Sequence, residues 1–270
     1  MIITKQKDLD ALCKNLAQKP FITFDTEFLR EKTYYPKLCL IQVADPEKNA
    51  AAIDPLADGL DLAPLFDLLQ NEMVLKVFHA GRQDLEILFN ITGGQLPKPF
   101  FDTQVAAMVC GYGDQVGYEA LVRDIAKVQI DKSSQFTDWS RRPLTQRQID
   151  YALDDVIHLV DVYQSLTRRL EEKGRTEWVF EEEAVLANPA TYVVEPREMW
   201  QKVKIKTPKP KALAILRELA AWREMRAQEK DLPRSWVMKD DTMGEIAHHA
   251  PHDVESLKKI RGFSADLAEK

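Results

Sequence analysis

The sequence predicts an α/β fold with a mixed sheet, followed by a smaller all-α domain. Runs rich in β-branched and aromatic residues, which are typical of strands, are concentrated before residue 79. Apolar residues at helical spacing dominate from residue 82 onwards. A basic segment with two prolines, residues 202–211, precedes a last helical region. Strands followed by helices in one chain indicate a layered α/β arrangement.

The predicted strands lie close together in the sequence. After an amphipathic helix at 7–18, strands are expected at 21–24, 38–44, 50–54 and 73–78, with a short helix at 62–69 before the last strand. Because short polar connections join the first three strands, we expect an antiparallel meander. Further helices are expected at 82–89, 102–110, 118–128, 145–172 and 178–187.

The composition is that of a globular protein with a large core. Of 270 residues, 45% are hydrophobic and 30% are charged, with a net charge of −6, which excludes a long disordered chain. The start of the chain lacks a signal-peptide pattern, and no apolar run approaches the roughly 18 residues of a spanning helix. The three cysteines are widely spaced, which fits a reducing compartment. We therefore expect a cytoplasmic protein with no membrane partner.

Two acids stand at the end of the first predicted strand. Asp25 and Glu27 follow the run 21–24, and residues two apart in a strand project to the same face. Two desolvated carboxylates on one face repel each other unless a metal ion or a basic group lies between them. An acidic strand end in solvent is the alternative interpretation, so further acids are needed to decide.

Two later segments supply such acids. Asp84 follows the strand at 73–78 and lies in the first turn of a helix, where it could instead complement the helix dipole. In the helix at 145–172, Tyr151 and Asp155 lie one turn apart on one flank of the apolar stripe, whereas Asp154 points away from the core. Tyr151 can direct its hydroxyl at whatever Asp155 binds, or it can be a half-buried packing residue.

The combined pattern resembles the three exonuclease motifs of the DEDD superfamily, in its tyrosine-bearing subgroup. Asp-x-Glu at a strand end, an acid after a later strand and Tyr-x3-Asp on a long helix carry this resemblance. Over about residues 1–200 the chain looks like the ribonuclease D family, through the segments 24–28, 34–42, 79–84 and 138–144. The resemblance implies a ribonuclease H-like fold with 3′ to 5′ exonuclease activity.

Four carboxylates without His or Cys suit Mg²⁺ or Mn²⁺ rather than zinc. The resemblance implies two such divalent metal ions, with Asp25 bridging both. Glu27 and Asp155 would complete the site of the ion that activates water, and Asp84 would hold the second ion largely through water. Tyr151 would orient the attacking water, because an ordinary tyrosine titrates near pH 10 and is a poor base at neutral pH. These four acids and Tyr151 form the expected catalytic set.

Basic and aromatic residues near these motifs are candidates for holding nucleic acid. Cations beside aromatic rings offer phosphate contacts and stacking faces to a single strand. A solvated surface charge is the alternative for each cation. The candidates are Phe28, Arg30, Lys32, Tyr34, Tyr35, Lys37, His79, Lys132, Arg141 and Arg142.

The last helical region resembles an HRDC domain. The segments 221–224, 231–233, 246–247 and 257–262 carry this resemblance, which implies nucleic-acid binding, although a domain used only for packing is the alternative. From residue 204 to 239 there are ten Lys or Arg against four Asp or Glu, as a nucleic-acid footprint requires. We expect an exonuclease domain at 1–200, a basic linker at 201–210 and a small all-α HRDC domain at 211–270, with a further helix expected beyond Lys270.

Together these patterns predict a metal-dependent 3′ to 5′ exoribonuclease that acts as a monomer. It would release nucleoside 5′-monophosphates from RNA with a free 3′ end, and the family suggests transfer RNA precursors. A DNA exonuclease is an alternative, because the motifs do not read the 2′-hydroxyl. A binding protein with a degenerate nuclease domain is a second alternative, against which the complete set of four acids and Tyr151 argues.

Overall fold

The computed structural model describes residues 1–205 and 209–263. The chain divides into two units. The first comprises Met1–Leu29 and Lys37–Tyr192, and the second comprises Arg30–Pro36 together with Val193–Lys270. Within the described residues, no helix has both the length and the apolar character that crossing a membrane requires.

A six-stranded mixed sheet forms the centre of the first unit. Its strands are β1 (Ile2–Ile3), β2 (Phe21–Leu29), β3 (Lys37–Ala44), β4 (Ala50–Ile53), β5 (Leu75–Phe78) and β6 (Phe100–Asp102), in the order β1-β4-β3-β2-β5-β6. Strands β2, β3 and β4 pair antiparallel, as the meander predicted, and the other neighbours pair in parallel. The predicted mixed sheet is confirmed. Sequence analysis missed β1 and β6, because two or three residues are too few to show alternation.

Helices cover both faces of this sheet. Ile22 and Phe24 of β2 belong to a hydrophobic cluster that includes the first three helices. Phe21 and Val77 belong to a second cluster with the later helices. The helices of this unit are α1 (Gln6–Leu16), α2 (Ala63–Gln70), α3 (Arg82–Ile91), α4 (Thr103–Cys110), α5 (Tyr118–Ile125), α6 (Gln146–Glu172) and α7 (Thr176–Ala187).

Strand β5 contains a buried lysine, Lys76, which has no exposed surface. Its Nζ donates hydrogen bonds to the carbonyl oxygens of Asn71, Val74 and Lys98 at 2.9, 2.8 and 2.6 Å. Three acceptors satisfy the three protons of an ammonium group. Lys76 therefore ties the start of β5 to the connection that leads into β6.

The second unit is all-α in its regular structure, as predicted. A 3₁₀ helix at Pro196–Lys202 precedes α8 (Pro210–Lys230), α9 (Arg234–Val237), α10 (Asp240–His249) and α11 (Val254–Lys258). Leu216 and Ala220 of α8 pack with Met243 and Ile246 of α10 in one core. Sequence analysis missed the short α9, whose four residues cover barely one helical turn.

The division after Tyr192 differs from the predicted boundary at residue 200. Met199 and Val203 are buried in the core of the second unit with α8. The lysines and prolines of 201–210 suggested a linker, but the apolar residues among them determine the packing. Residues 206–208 of the predicted linker and residues 264–270 of the predicted HRDC domain lie outside the described residues.

A segment remote in sequence, Arg30–Pro36, belongs to the second unit. The backbone N–H groups of Tyr34 and Tyr35 both donate to Asp231 Oδ1 at 3.0 Å. Arg234 pairs with Glu224 at 2.5 and 2.7 Å and lies 4.8 Å from the centroid of the Tyr34 ring. Because Glu224 is fully buried, these partners compensate a charge that would otherwise be costly to bury.

Candidate active site

Strand β2 presents Asp25 and Glu27 on one face of the sheet. Ile22 and Phe24 pack in one hydrophobic cluster and Phe21 packs in the other, which is the alternation of a pleated strand. Counting every second residue from Phe21 reaches Asp25 and Glu27, so these two acids lie on the same face of the strand as Phe21. The pairing of β2 with β3 becomes irregular between Glu27 and Phe28, and such bulges often re-aim side chains next to active sites.

Asp84 reaches the same strand from the first turn of α3. The helix begins after Gly81, where an added Cβ would lie only 2.6 Å from the Phe78 Cβ, so the turn requires glycine. Asp84 is buried and accepts a hydrogen bond from Thr26 Oγ1. Since Thr26 stands between Asp25 and Glu27 in the sequence, this bond connects α3 to the acidic end of β2.

Helix α6 carries Tyr151 and Asp155. Its start is fixed by a capping box between Thr145 and Gln148. Thr23 Oγ1 of β2 donates to the carbonyl oxygen of Val156 at 2.8 Å, which anchors the helix next to Asp155. The Tyr151 hydroxyl donates a hydrogen bond to the Asp155 carboxylate itself, whereas the sequence predicted a hydroxyl directed at whatever Asp155 binds.

A cavity of about 280 Å³ is lined by residues of β2, α5 and α6. Asp25, Tyr151 and Asp155 of the predicted set line it. Glu27 and Asp84 are within electrostatic reach, because the charges of Asp25, Asp155 and Asp84 all act on Glu27. The remaining lining residues are Phe24, His79, Gly117, Tyr118, Glu119, Ile130, Lys132, Gln135 and Leu159.

Burial raises the pKa values of all four carboxyls. Repulsion from other acids of the set adds to the rise at Asp25, Glu27 and Asp84, whereas at Asp155 the repelling charge is that of Asp154. The pKa of Glu27 is raised to about 10 and that of Asp155 to about 7. The pKa values of Asp25 and Asp84 lie well above the ordinary range, with further contributions from Asp155 and Asp25 respectively. The hydrogen bond from Tyr151 opposes the rise at Asp155. A cation among these groups would lower their pKa values, because an opposite charge favours the ionised form.

The donor chemistry of this cluster fits a hard divalent cation. Carboxylate oxygens alone suit Mg²⁺ or Mn²⁺. Across residues 1–205 and 209–263, no three His, Cys, Asp or Glu side chains are arranged to hold a metal ion as they stand. Hydroxyl groups engage two of the four acids instead, Thr26 at Asp84 and Tyr151 at Asp155.

Sequence analysis missed Tyr118, the first residue of α5. Its hydroxyl donates to the carbonyl oxygen of Asp155 at 2.5 Å, and its ring centroid lies 5.4 Å from that of His79. No local pattern distinguishes this tyrosine from a packing aromatic at a helix start. Thr26 offered a weak signal, since it is a hydroxyl between two acids in an otherwise apolar strand.

The structure separates the RNA-contact candidates of the first unit into groups. His79 and Lys132 line the cavity, and Lys132 Nζ lies 2.9 Å from Glu119. Phe28 packs against the hydrophobic core. Lys37 and Arg141 are exposed and do not line the cavity. Only His79 and Lys132 among these five candidates border the cavity.

The prediction that Arg142 contacts nucleic acid requires a correction. All five of its N–H donors are used within the protein. Its Nε and Nη2 pair with the Asp54 carboxylate at 2.6 Å each, and its remaining bonds go to the carbonyl oxygens of Cys39, Trp139 and Arg141. The guanidinium braces the loop before α6 and has no donor left for a phosphate.

Tyr34 also departs from its predicted role. It lies with the candidates Arg30, Lys32 and Tyr35 in the segment that belongs to the second unit. Its hydroxyl is bonded to Glu224, and Arg234 covers one face of its ring. Tyr34 is therefore an internal packing and hydrogen-bonding residue of that unit, whereas Tyr35 is 40% exposed.

Comparison with known proteins identifies the family. Residues 1–171 match the family model described as 3′-5′ exonuclease, and residues 212–270 match that of the HRDC domain. Ribonuclease D of Nitrobacter hamburgensis is 52% identical over 97% of this chain and 68% of its own length. The chain belongs to the ribonuclease D family. It is thus a 3′-5′ exoribonuclease, a hydrolase of phosphodiester bonds, as the motifs predicted.

Solved structures agree with this membership. The Escherichia coli RNase D, described as an exoribonuclease involved in structured RNA processing, superposes with a TM-score of 0.91 at 35% identity, covering 100% of this chain and 71% of that chain. Brucella melitensis NrnC with bound Mg²⁺ superposes with a TM-score of 0.58 at 27% identity, covering 72% of this chain and 94% of that chain. The ribonuclease D family acts on RNA and depends on divalent metal, in agreement with the acidic cluster.

Proposed function

We propose that this protein removes nucleoside 5′-monophosphates one at a time from the 3′ ends of RNA, with transfer RNA precursors among its substrates. We further propose that Asp25, Glu27, Asp84 and Asp155 hold two divalent ions, Mg²⁺ or Mn²⁺. The observation that carries this proposal is the convergence of β2, α3 and α6, which brings the four acids of a ribonuclease D family member within electrostatic reach of one another and places Asp25, Tyr151 and Asp155 in the lining of one cavity.

The carboxylates and Tyr151 have different roles in the proposed hydrolysis. When bound, two divalent ions acidify a water molecule and stabilise the charge on the attacking and leaving oxygens. Bound cations would favour the ionised form of the four carboxylates, whose pKa values burial raises. Burial raises the pKa of Tyr151, so its hydroxyl stays protonated and orients the attacking water as a hydrogen-bonding group rather than as a base.

The cavity also supports a proposal for how the 3′ end is held. Its volume of about 280 Å³ suits one nucleotide rather than a base pair. Lys132 offers a cation to the terminal phosphate, and the rings of His79 and Tyr118 offer apolar faces to the terminal nucleoside. A paired 3′ end would have to fray before its last nucleotide could enter.

The second unit contains a separate basic cavity of about 590 Å³. Arg223 and Arg234, which border it, are already paired with Asp240 and Glu224. Among the described residues, Lys202 and Lys239 are the two lysines that line this cavity, and its lining also contains the charged residues Arg30 and Asp241. We infer that these two lysines contact RNA phosphates at a distance from the cleaved bond, which would explain local positive charge in an acidic protein.

A 3′-labelled single-stranded RNA and the matching DNA, each incubated with Mg²⁺, Mn²⁺ or EDTA, test the function directly. We expect metal-dependent release of labelled 5′-monophosphate that is faster from RNA. Faster release from DNA would favour a DNA exonuclease. Tight binding without cleavage under all metal conditions would favour the binding-protein alternative.

Matched variants test the site assignment. We expect Asp25→Asn and Asp155→Asn to reduce release to the level of the EDTA control, because each removes a charged ligand while keeping the shape of the side chain. Thermal unfolding should show that both variants fold. Unchanged turnover in either folded variant would contradict the assignment of these acids.

A further inference from the structure

The end of β6 binds the turn that follows β5. Asp102 Oδ1 accepts the N–H of Ala80, and its Oδ2 accepts the N–H of Gly81, both at 2.9 Å. The adjacent Thr103 Oγ1 donates to the carbonyl oxygen of Phe78 at 3.0 Å and lies 2.9 Å from His79 Nδ1. Side chains of two consecutive residues thus hold every residue of the turn.

The backbone of this turn is strained. Ala80 has a φ of +52°, a left-handed conformation that residues with a Cβ rarely adopt. Gly81 is confined by Phe78, as described above. Backbone strain of this kind persists only where the surrounding structure enforces it, and it is concentrated at functional sites. The two bonds from Asp102 provide that enforcement.

Residues of the active site flank the turn on both sides. His79 lies at its start and lines the cavity. Gly81 is the N-cap of α3, so its position determines where the helix begins and where Asp84, in the first helical turn, places its carboxylate. Displacement of the Ala80–Gly81 backbone would therefore move Asp84 relative to Asp25 on β2.

The cap of α4 does not account for all the interactions of Asp102. As the N-cap of α4, Asp102 needs only its bond to the N–H of Gln104, at 2.8 Å. Its side chain is almost fully buried and does not line the cavity. A carboxylate can be buried when backbone N–H groups satisfy it, and two of its three such partners belong to the turn before α3.

We propose that Asp102 is a positioning residue of the active site, which acts by holding the Ala80–Gly81 turn so that Asp84 presents its carboxylate to a divalent ion. This proposal rests on the metal-dependent function proposed above. Loss of a group that orients a metal ligand typically weakens metal binding by about 10- to 100-fold. Asp102 should therefore affect metal affinity without touching metal or RNA.

Two variants of the full chain separate geometry from charge. Asp102→Asn keeps one acceptor oxygen but replaces the other by an NH₂ group, which cannot accept the N–H of Gly81. Thr103→Val removes the hydroxyl that holds Phe78 and His79 and leaves the charge unchanged.

Asp45→Asn is the matched control for these variants. Asp45 is also buried, and its Oδ1 accepts the N–H groups of Glu47 and Asn49 at 3.0 and 2.9 Å in the connection between β3 and β4. It holds a turn as Asp102 does, but that turn contains no residue of the cavity.

Titration calorimetry with Mn²⁺ in the absence of RNA is the primary measurement, with the Mn²⁺ concentration for half-maximal monophosphate release as the second. We expect Asp102→Asn to weaken Mn²⁺ binding at least tenfold, with activity partly restored by excess Mn²⁺, and Thr103→Val to act in the same direction more weakly. Asp45→Asn should lower the melting temperature but leave Mn²⁺ binding unchanged.

Mn²⁺ affinity that is unchanged in Asp102→Asn, or that falls equally in Asp45→Asn, would overturn the proposal. If Asp102→Asn does not fold, the Mn²⁺ affinity of folded Thr103→Val decides, and a wild-type value contradicts the proposal. Absence of metal-dependent release from the wild-type protein would instead contradict the proposed function.

Discussion

Tyr151 is the residue whose role depends most on its immediate surroundings. Its hydroxyl donates to the Asp155 carboxylate, and burial together with the neighbouring acids raises its pKa. A tyrosine with a raised pKa stays protonated at neutral pH, so the contribution we propose for Tyr151 is hydrogen bonding and orientation rather than action as a base. That contribution should be smaller than the contribution of any of the four acids.

We expect Tyr151→Phe to lower kcat by about 10- to 100-fold and to leave KM within about twofold, because the ring is kept and only the orienting hydroxyl is lost. Initial rates of monophosphate release measure both constants. Tyr163→Phe is the control, since Tyr163 is on the same helix and packs on Phe21 outside the cavity. A wild-type kcat for Tyr151→Phe would remove the proposed role.

Substitution of Lys132 should affect RNA binding, whereas substitution of Arg142 should affect stability. Lys132→Ala should raise KM for RNA several-fold with little change in melting temperature, because its side chain is at the cavity and about half exposed. Arg142→Ala should lower the melting temperature with KM unchanged, because it leaves Asp54 and three carbonyl oxygens without their donor. Steady-state kinetics and thermal unfolding distinguish the two, and a raised KM in folded Arg142→Ala would restore it as an RNA contact.

These residues also show what sequence reasoning can and cannot reach. The four acids and Tyr151 could be named because each lies in a local motif at a predictable point of a strand or helix. Arg142 was misinterpreted because its partner Asp54 is 88 residues away in the sequence. The same applies to Tyr34 and Glu224, which are 190 residues apart. Pairings across such distances depend on the tertiary fold, which charge and aromatic patterns do not reveal.

Among the elements, the junction of α7 with β6 has its own electrostatic consequence. Glu183 of α7 is buried and accepts a hydrogen bond from the backbone N–H of Asp102. Burial raises the pKa of Glu183 from 4.5 to about 8. Between these pH values the folded protein keeps a proton that the unfolded chain has lost. The contribution of Glu183 to stability therefore falls as pH rises through this window.

Glu183→Gln should remove this pH dependence, because glutamine keeps an acceptor oxygen and does not titrate. We expect the free energy of unfolding of the wild type to fall relative to that of Glu183→Gln as pH rises from 5 to 8. Urea denaturation in EDTA at several pH values measures the difference. Parallel pH profiles for the two proteins would show that Glu183 is ionised in the folded state.

Long elements were predictable, whereas the two shortest strands, β1 and β6, were missed. Helix α6 has 27 residues and a clear apolar stripe, and its predicted bounds agree with the structure to one residue. β6 was missed because its three residues run directly into α4, so the segment shows no strand period of its own. This omission concealed Asp102, whose importance depends on the parallel pairing of β6 with β5.

On the scale of the whole molecule, this protein has a net negative charge and its substrate, RNA, is a polyanion. The net charge is −6, and the cavity of the nuclease is itself acidic until cations bind. We proposed that local positive charge, such as that at the basic cavity of the second unit, supplies affinity for RNA. Such affinity depends strongly on salt, because binding releases the counterions of the RNA.

We expect Lys202→Glu/Lys239→Glu to weaken RNA binding. The negative slope of log K against log salt should become shallower by about two, because two phosphate contacts are lost. The control is Lys7→Glu/Lys14→Glu, which changes the net charge equally through two exposed lysines of α1. Fluorescence anisotropy over a range of salt concentrations measures both slopes. Equal slopes for the two double variants would show that only the overall charge matters.

Lys76 has a practical consequence for following the motions of the nuclease unit. Amine-reactive reagents modify exposed lysines within minutes, but Lys76 has no accessible surface and all its protons are engaged. It can react only when β5 separates from its surroundings. The rate of Lys76 labelling, read by mass spectrometry, would therefore report the opening of the strand that leads to His79 and Asp84, without any engineered probe.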